Sequence, residues 1–214
     1  MSQPCFKNHV RIKMKKQTAE LTSNVFNPFL IGLLLVLLIS FEATSTLHEA
    51  IKWSLLLTAI NILPVFIFAF YLARHNRVES IFINIRKQRT SIYTLGIILA
   101  GVSCIILLSP KVPLMLLALS VTSFSVNVIF MCINLRWKIS LHTAFITAAV
   151  TLLFILYGFR ATASLALVPL VGWARIESEH HSVAQVVAGA LLAPAILVVV
   201  FHLFGLMQIL EADV

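Results

Sequence analysis

Two short segments of this chain place a cation and a histidine where an apolar run begins. The first is Lys138-Ile139-Ser140-Leu141-His142-Thr143-Ala144; the second is Arg175-Ile176-Glu177-Ser178-Glu179-His180-His181, ahead of the run that starts at Ser182. Cations and imidazoles are costly near lipid, so such residues at the mouth of a membrane helix are functional candidates. A cation holds an anion, and an imidazole gives or takes a proton near neutral pH. Together they read as phosphate chemistry at a membrane surface.

In the first segment Lys138 and His142 stand four residues apart and share one helical face. Lys138 offers a point charge to a phosphate oxygen, His142 a proton, and Ser140 and Thr143 hydroxyl donors. The first backbone N–H groups of the helix also favour an anion. Taken alone, a snorkelling lysine beside an interfacial histidine explains the segment as well. In the second, Arg175 presents a planar fork to two phosphate oxygens. Either His180 or His181 can serve as its imidazole by position alone. Glu177 and Glu179 either orient that imidazole or are solvated loop charges. A third cluster, Arg86-Lys87-Gln88-Arg89, is either a positive-inside stop or a further set of cations for the same phosphate.

The elements that must position these residues are membrane helices. Of 214 residues, 60% are hydrophobic and 11% charged, against about 25% charged in soluble domains. Apolar runs fall near 26–43, 52–73, 92–109, 113–133, 141–158, 161–173 and 183–207. Strands would leave backbone groups unpaired in lipid, so the expected fold is all-α, a polytopic transmembrane helix bundle of six or seven spans. The 161–173 run is short for a span and is expected to extend through Arg175, to tilt or to be partly re-entrant. Pro113 fits a helix start; Pro64, Pro169 and Pro194 lie inside runs and predict kinks. Residues 1–24 form a basic tail, either disordered or an interfacial helix, and residues 25–214 the membrane domain. The run from Phe26 reads as a first span and not as a cleaved leader. Cys5, Cys104 and Cys132 have no paired spacing, which argues against a disulfide framework or a zinc site.

The net charge of +8 does not imply nucleic acid, because the basic residues lie between apolar runs. With seven spans, the tail and segments 74–91, 134–141 and 174–182 share one side, and they hold 13 of the 16 Lys and Arg. Lys52, Lys111 and Arg160 fall on the other. The positive-inside rule makes the first side cytoplasmic, with the C-terminal Glu211-Ala212-Asp213-Val214 opposite. All three candidate segments then share the cytoplasmic side, in a protein expected in the plasma membrane among anionic lipid headgroups.

At these residues the chain resembles the type 2 phosphatidic acid phosphatase superfamily, which includes prenyl-diphosphate phosphatases and vanadium haloperoxidases. Its members carry Lys-x6-Arg-Pro, then Pro-Ser-Gly-His, then Ser-Arg-x5-His-x3-Asp. Ile139-Ser140-Leu141-His142 resembles the second motif, keeping its serine and histidine without the proline and glycine. Ala174-Arg175-x5-His181-x3-Gln185 resembles the third, and its spacing selects His181 over His180. The stretch Val186-Val187-Ala188-Gly189-Ala190-Leu191-Leu192 resembles the small-residue run that follows it. Arg86, Lys87 and Arg89 resemble a remnant of the first motif, with Lys138 supplying the lysine function. The resemblance spans roughly residues 86–192. It implies that His181 is a nucleophile forming a phosphohistidine, that His142 protonates the leaving alcohol, and that Arg175, Lys138, Ser140 and the Arg86–Arg89 cations hold the phosphoryl oxygens. Gln185 stands where the family has the aspartate that orients the nucleophile. The implied activity is metal-independent and cofactor-free hydrolysis of a lipid phosphate or prenyl (di)phosphate. Phosphoryl transfer needs positioning and cations around its equatorial oxygens, and a covalent histidine divides it into two easier steps.

Two other classes stay open. One is a catalytically silent relative that binds lipid phosphates or acts as a membrane assembly partner. The other is a small transporter or an isoprenoid-processing enzyme. A prenyltransferase needs aspartate-rich magnesium motifs, and the chain has one Asp, Asp213. A proton-coupled transporter needs buried carboxylates, for which Glu42 and Glu49 are the candidates.

Overall fold

A computed structural model of the chain describes residues 3–78 and 85–207, with side chains from Lys13 onward. The side chains of Cys5, Lys7 and Arg11, and the C-terminal 211–214, lie outside the described residues. Every described element is helical: α1 Gln3–Val25, α2 Pro28–Glu42, α3 Leu47–Leu57, α4 Leu63–Arg74, α5 Thr90–Ile106, α6 Leu114–Asn134, α7 Leu141–Tyr157, α8 Leu167–Glu177 and α9 Val183–Leu203. A π-helical turn at Thr58–Ile62 joins α3 to α4, and 3-10 segments occupy Arg86–Arg89 and Gly158–Ala166.

The helix starts follow local rules. The side chains of Asn27, Thr46 and Ser140 each accept a backbone N–H of the first turn of α2, α3 and α7, supplying acceptors to donors that have no partner within the helix. Ser182 and Gln185 form a reciprocal capping box at the start of α9. Pro113 immediately precedes α6. Pro64 falls in the first turn of α4, directly after the π-helical turn, where a missing N–H costs little. Pro194 alone of the expected kink sites lies deep inside a long helix, α9.

Six helical stretches are long and apolar enough to cross a membrane: Lys13–Glu42, Leu47–Arg74, Arg86–Ile106, Leu114–Asn134, Leu141–Glu177 and Val183–Leu203. Their outer faces are apolar; Leu55, Ile105 and Leu203 are 66%, 71% and 76% exposed. This is the surface of a helix bundle solvated by lipid. The fifth stretch is folded on itself. Straight, its 37 residues would separate its ends by about 54 Å. Instead α8 packs back along α7, and Ser140, at the head of α7, bonds through its N–H to Gln185 just beyond α8. The sixth apolar run, 161–173, is thereby accounted for. α8 has only 11 residues, about 16 Å, and the 3-10 segment Gly158–Ala166 covers the rest of the return.

The chain therefore brings the starts of α5, α7 and α9 and the ends of α6 and α8 to one end of the bundle. Arg89 at the start of α5 donates to the Ile139 carbonyl, and Arg86 to that of Asn134. At the opposite end the Tyr157 hydroxyl donates to Glu42 at 2.6 Å. The basic N-terminal segment is neither disordered nor detached: it forms α1, which lies along α8. Ala19 and Ser23, one turn apart, are 0% and 3% exposed; small residues at this spacing let two helices approach closely. Lys16 of α1 pairs with Glu179 at 3.1 Å.

Candidate functional site

The site is built on a close contact between the heads of α7 and α9. Ser140 N–H donates to Gln185 O at 3.2 Å, and Thr143 Oγ1 lies 3.1 Å from the carbonyls of both Ser140 and Val186. Gly189 makes this approach possible. A Cβ at that position would stand 2.4 Å from the Ser140 carbonyl oxygen and 2.8 Å from Thr143 Oγ1, well inside contact distance.

The corner between α8 and α9 explains the six-residue offset of Arg175 and His181. The His181 N–H donates to the Arg175 carbonyl at 3.2 Å, and Ser178 N–H to that of Ala174 at 3.1 Å. Ser178 Oγ also bonds the Ala174 carbonyl, at 2.7 Å. Glu179 turns the chain at φ 57°, a conformation that L residues adopt only under local constraint. The corner turns His181 inward to 6% exposure, beside Arg175 at 2%. His180 is half-buried, and its carbonyl accepts from Lys138 Nζ.

Among the described residues four basic side chains are buried at this end: Arg89 and His142 at 3% exposed, Arg175 at 2% and His181 at 6%. The charges bearing on His142 are those of Arg175 and Arg89, and its ring bonds to the backbone of Ser23 at the end of α1. His181 Nδ1 lies 3.0 Å from Gln185 Oε1. An amide oxygen only accepts, so Nδ1 carries the proton and Nε2 is the lone-pair nitrogen. That Nε2 is buried, and nothing among the described residues hydrogen-bonds to it. Burial, then the positive charges of Arg89, Lys138 and Arg175, push the His181 imidazole down to about 2, against the opposing effect of the Gln185 bond. The ring is therefore neutral at neutral pH.

His142, Arg175, His181 and Arg89 thus come together, with Lys138 at their edge. The basic run at 86–89 is split. Arg89 turns into the site, Arg86 clasps the Asn134 and Leu135 carbonyls at the end of α6, and Lys87 is exposed. Ser140 acts as the cap of α7, with Oγ accepting from Thr143 N–H at 3.5 Å. Lys138 ties the head of α7 to the α8–α9 corner. Glu179 pairs with Lys16 and does not reach the imidazole, and the His181 ring is oriented by Gln185. The sequence reading missed Ser23, whose only signal was its place one turn after Ala19 in a segment taken for a tail. It also missed Tyr93, buried one turn after Arg89 and interacting with it.

Below this cluster lies a cavity of about 230 Å³ whose walls are mostly apolar. Leu35, Val36, Phe145 and Leu197 are typical of its lining; Arg89, Tyr93 and His142 lie at its cationic end. Helix ends that gather cations above a greasy internal chamber suit an amphiphile with an anionic head. No family model, curated protein or solved structure matches the chain.

Proposed function

We propose that this protein is a membrane-embedded phosphatase, a divergent relative of the type 2 phosphatidic acid phosphatases, that hydrolyses a lipid phosphate or diphosphate through a phosphohistidine. The observation that carries the reading is the buried, neutral His181, whose Nε2 carries the lone pair and whose imidazole feels the charges of Arg89, Lys138 and Arg175. A nucleophile needs a lone pair, and a phosphoryl group needs cations around its oxygens. Both requirements meet at one point, beside a chamber for a hydrocarbon tail.

In this reading the tail occupies the cavity and the headgroup passes Arg89 and His142. His181 Nε2 attacks phosphorus while the ester P–O bond breaks, and Gln185 Oε1 holds the Nδ1 proton. The phosphate brings negative charge among the cations, which favours a protonated His142; this imidazolium gives its proton to the leaving oxygen. Water then attacks the phosphohistidine, passing a proton to His142, and phosphate departs. Arg89 and Arg175 neutralise the equatorial oxygens at both steps. The 13 to 3 asymmetry of cations supports a cytoplasmic position for this end; cysteines introduced at Lys87 should then resist an impermeant thiol reagent applied to intact cells.

The test is phosphate release by purified protein in detergent with EDTA, from phosphatidic acid, a sphingoid phosphate and polyprenyl phosphate and diphosphate, together with trapping of an acid-labile phosphoprotein. Release with a trapped intermediate that His181→Ala abolishes supports the proposal. One observation favours a silent lipid-phosphate binder: Gln185 replaces the family's aspartate and is already engaged in the α9 capping box. Tight binding without release from any substrate would establish that reading in place of the enzyme.

A further inference from the structure

The cavity wall carries two asparagines, and they are not alike. Asn61, in the π-helical turn, donates through Nδ2 to Ser103 Oγ at 2.6 Å and lies 3.3 Å from its own Leu57 carbonyl. It is an interhelical tie, the usual use of an amide within a bundle. Asn127, on α6, donates through Nδ2 only to the Ser123 carbonyl of its own helix, at 2.9 Å. Its Oδ1 faces Gly96 on α5, so closely that a Cβ there would stand 2.6 Å away. Among the described residues nothing donates to that oxygen and only one Nδ2 hydrogen is committed, so the carboxamide can accept from a hydroxyl or amide N–H or donate to an ester carbonyl; Asn127 ties no two helices by a hydrogen bond. Both Asn127 and Gly96 line the cavity.

Their depth is fixed twice over. Gly96 is seven residues along α5 from Arg89, and Asn127 seven residues before the end of α6 at Asn134, which bonds to Arg86. Each count gives about 10 Å below the cationic cluster. A polar carboxamide at that depth in a mostly apolar chamber is costly unless a partner reaches it. A phosphate cannot, because it is held by the cations above. The group that hangs at this depth beneath a phosphate is the linkage between headgroup and chains: an ester or amide, or a nearby hydroxyl. A polyisoprenoid has only hydrocarbon there and would strand the carboxamide.

We propose that Asn127, given room by Gly96, is a second recognition point that hydrogen-bonds the linkage region of the lipid, so that the preferred ligand is an acyl-linked or hydroxylated lipid phosphate and not a polyprenyl phosphate. The proposal rests on the lipid-phosphate reading above and specifies its substrate class. A site built to hydrogen-bond a ligand discriminates sharply against an analogue lacking the group, because its own polar atoms are left unpaired.

The experiment measures binding and hydrolysis separately, with phosphatidic acid, its diether analogue, a sphingoid phosphate and a polyprenyl phosphate, on full-length protein in detergent. Binding is read by competition against a fluorescent acyl-linked lipid phosphate, so it reports even if turnover is absent. The expected result is that wild type favours the ester or hydroxylated lipids over polyprenyl phosphate by about 10- to 100-fold, the range of one stranded buried polar group. Asn127→Leu should erase most of that preference by weakening the polar lipids while sparing the polyprenyl ligand. Gly96→Ala, which displaces the same oxygen, should act in the same direction; it tests the proposal if Asn127→Leu does not fold. Equal or better binding of polyprenyl phosphate by wild type, or variants that weaken all ligands alike, would overturn the proposal while leaving the phosphatase reading intact. Failure to bind any lipid phosphate would overturn both.

Discussion

The two ends of this bundle treat charge in opposite ways. At the far end charges meet complements near the surface. Glu49 takes Lys52 at 2.5 Å and Trp53 Nε1 at 3.0 Å, and Glu42 accepts from Tyr157. At the cationic end Arg89, Arg175, His142 and His181 are gathered into the interior, where the charges that bear on the imidazoles are positive. The first arrangement is self-sufficient and asks for no ligand. The second holds like charges in a medium that screens them poorly, and an anion relieves it. In the proposed reading, this interior gathering of basic side chains is where the lipid phosphate is held.

The contrast breaks most completely at His181. His181→Ala should abolish phosphate release, with a loss of about 10⁴-fold or more, the scale on which a covalent nucleophile acts. His180→Ala should keep most activity, because the backbone carbonyl that accepts from Lys138 survives the substitution. Equal loss from both variants would show that the α8–α9 corner, and not the His181 imidazole, is what matters.

Next in size is the α7–α9 contact that assembles the cluster. Gly189→Ala places a methyl 2.4 Å from the Ser140 carbonyl oxygen, against backbone that has little room to give. Overpacking of this kind costs about 1–3 kcal/mol, and here the strain falls directly on the helix heads carrying His142 and His181. Thermal unfolding in detergent should show a lowered midpoint, with activity falling further than stability alone explains. A Gly205→Ala control at the far end of α9 meets no neighbour within 4 Å but carries a φ of +70°, so its effect should stay local to that terminus. An unchanged Gly189→Ala protein would mean that the two helices are not held as close as Ser140 and Gly189 indicate.

How much of this was legible beforehand depends on the range of the interaction. Apolar runs, Pro113 before α6 and the caps at Ser140 and Ser182 are local, and the helices follow them. The Arg175-to-His181 offset was legible because one corner fixes both side chains. The fate of the basic run at 86–89 was not, since three neighbouring cations go to three surroundings: Arg89 to the site, Arg86 to the end of α6, Lys87 outward. Only the packing of α5 against α6, and the reach of Arg89 to the Ile139 carbonyl ahead of α7, decides among them. Likewise Lys138 has the right charge for phosphate, yet a carbonyl from a distant corner claims its ammonium. The segment 1–24 hid its role because a polar composition overshadowed Ala19 and Ser23, two small residues whose spacing matters only once α8 lies against them.

Acid sharpens the same comparison on a smaller scale. Burial and neighbouring cations hold the His181 imidazole down at about 2, whereas in the unfolded chain it titrates near 6.5. Above pH 6.5 neither state binds this proton and stability is indifferent to it. Below, the unfolded state takes up the proton and the folded state does not, so stability falls with pH by up to about 1.4 kcal/mol per unit. By pH 5 the cost is about 2 kcal/mol. Chemical denaturation between pH 7 and 5 should show that slope in wild type and a shallower one in His181→Asn. Parallel slopes would place the acid sensitivity elsewhere.

The smallest expected effect, and the most direct probe of the like-charge cluster, is to put a carboxylate into it. Gln185 Oε1 accepts from both His181 Nδ1, at 3.0 Å, and Ser182 N–H, at 3.4 Å. Gln185→Glu keeps the chain length and therefore both contacts, and a negative charge in the first turn of α9 is favoured by the helix dipole. The new carboxylate stabilises the positive charge that builds on His181 as its Nε2 bonds to phosphorus, which an amide cannot do. Replacing an orienting carboxylate by an amide in a Ser-His-Asp protease costs about 10⁴-fold. There the amide also leaves the imidazole in the wrong tautomer, whereas Gln185 already holds the right one, so the gain expected here is charge alone, about 10-fold in turnover. Gln185→Asp, one methylene shorter, should gain less because it loses reach to Nδ1. The carboxylate also neutralises part of the field that attracts phosphate, so KM should rise as kcat rises. A Glu variant slower than wild type would mean that an all-cationic site with a neutral orienter is the tuned state. A Glu variant and wild type both inactive on every lipid phosphate would leave the cluster as a binding site and its imidazole as a ligand contact.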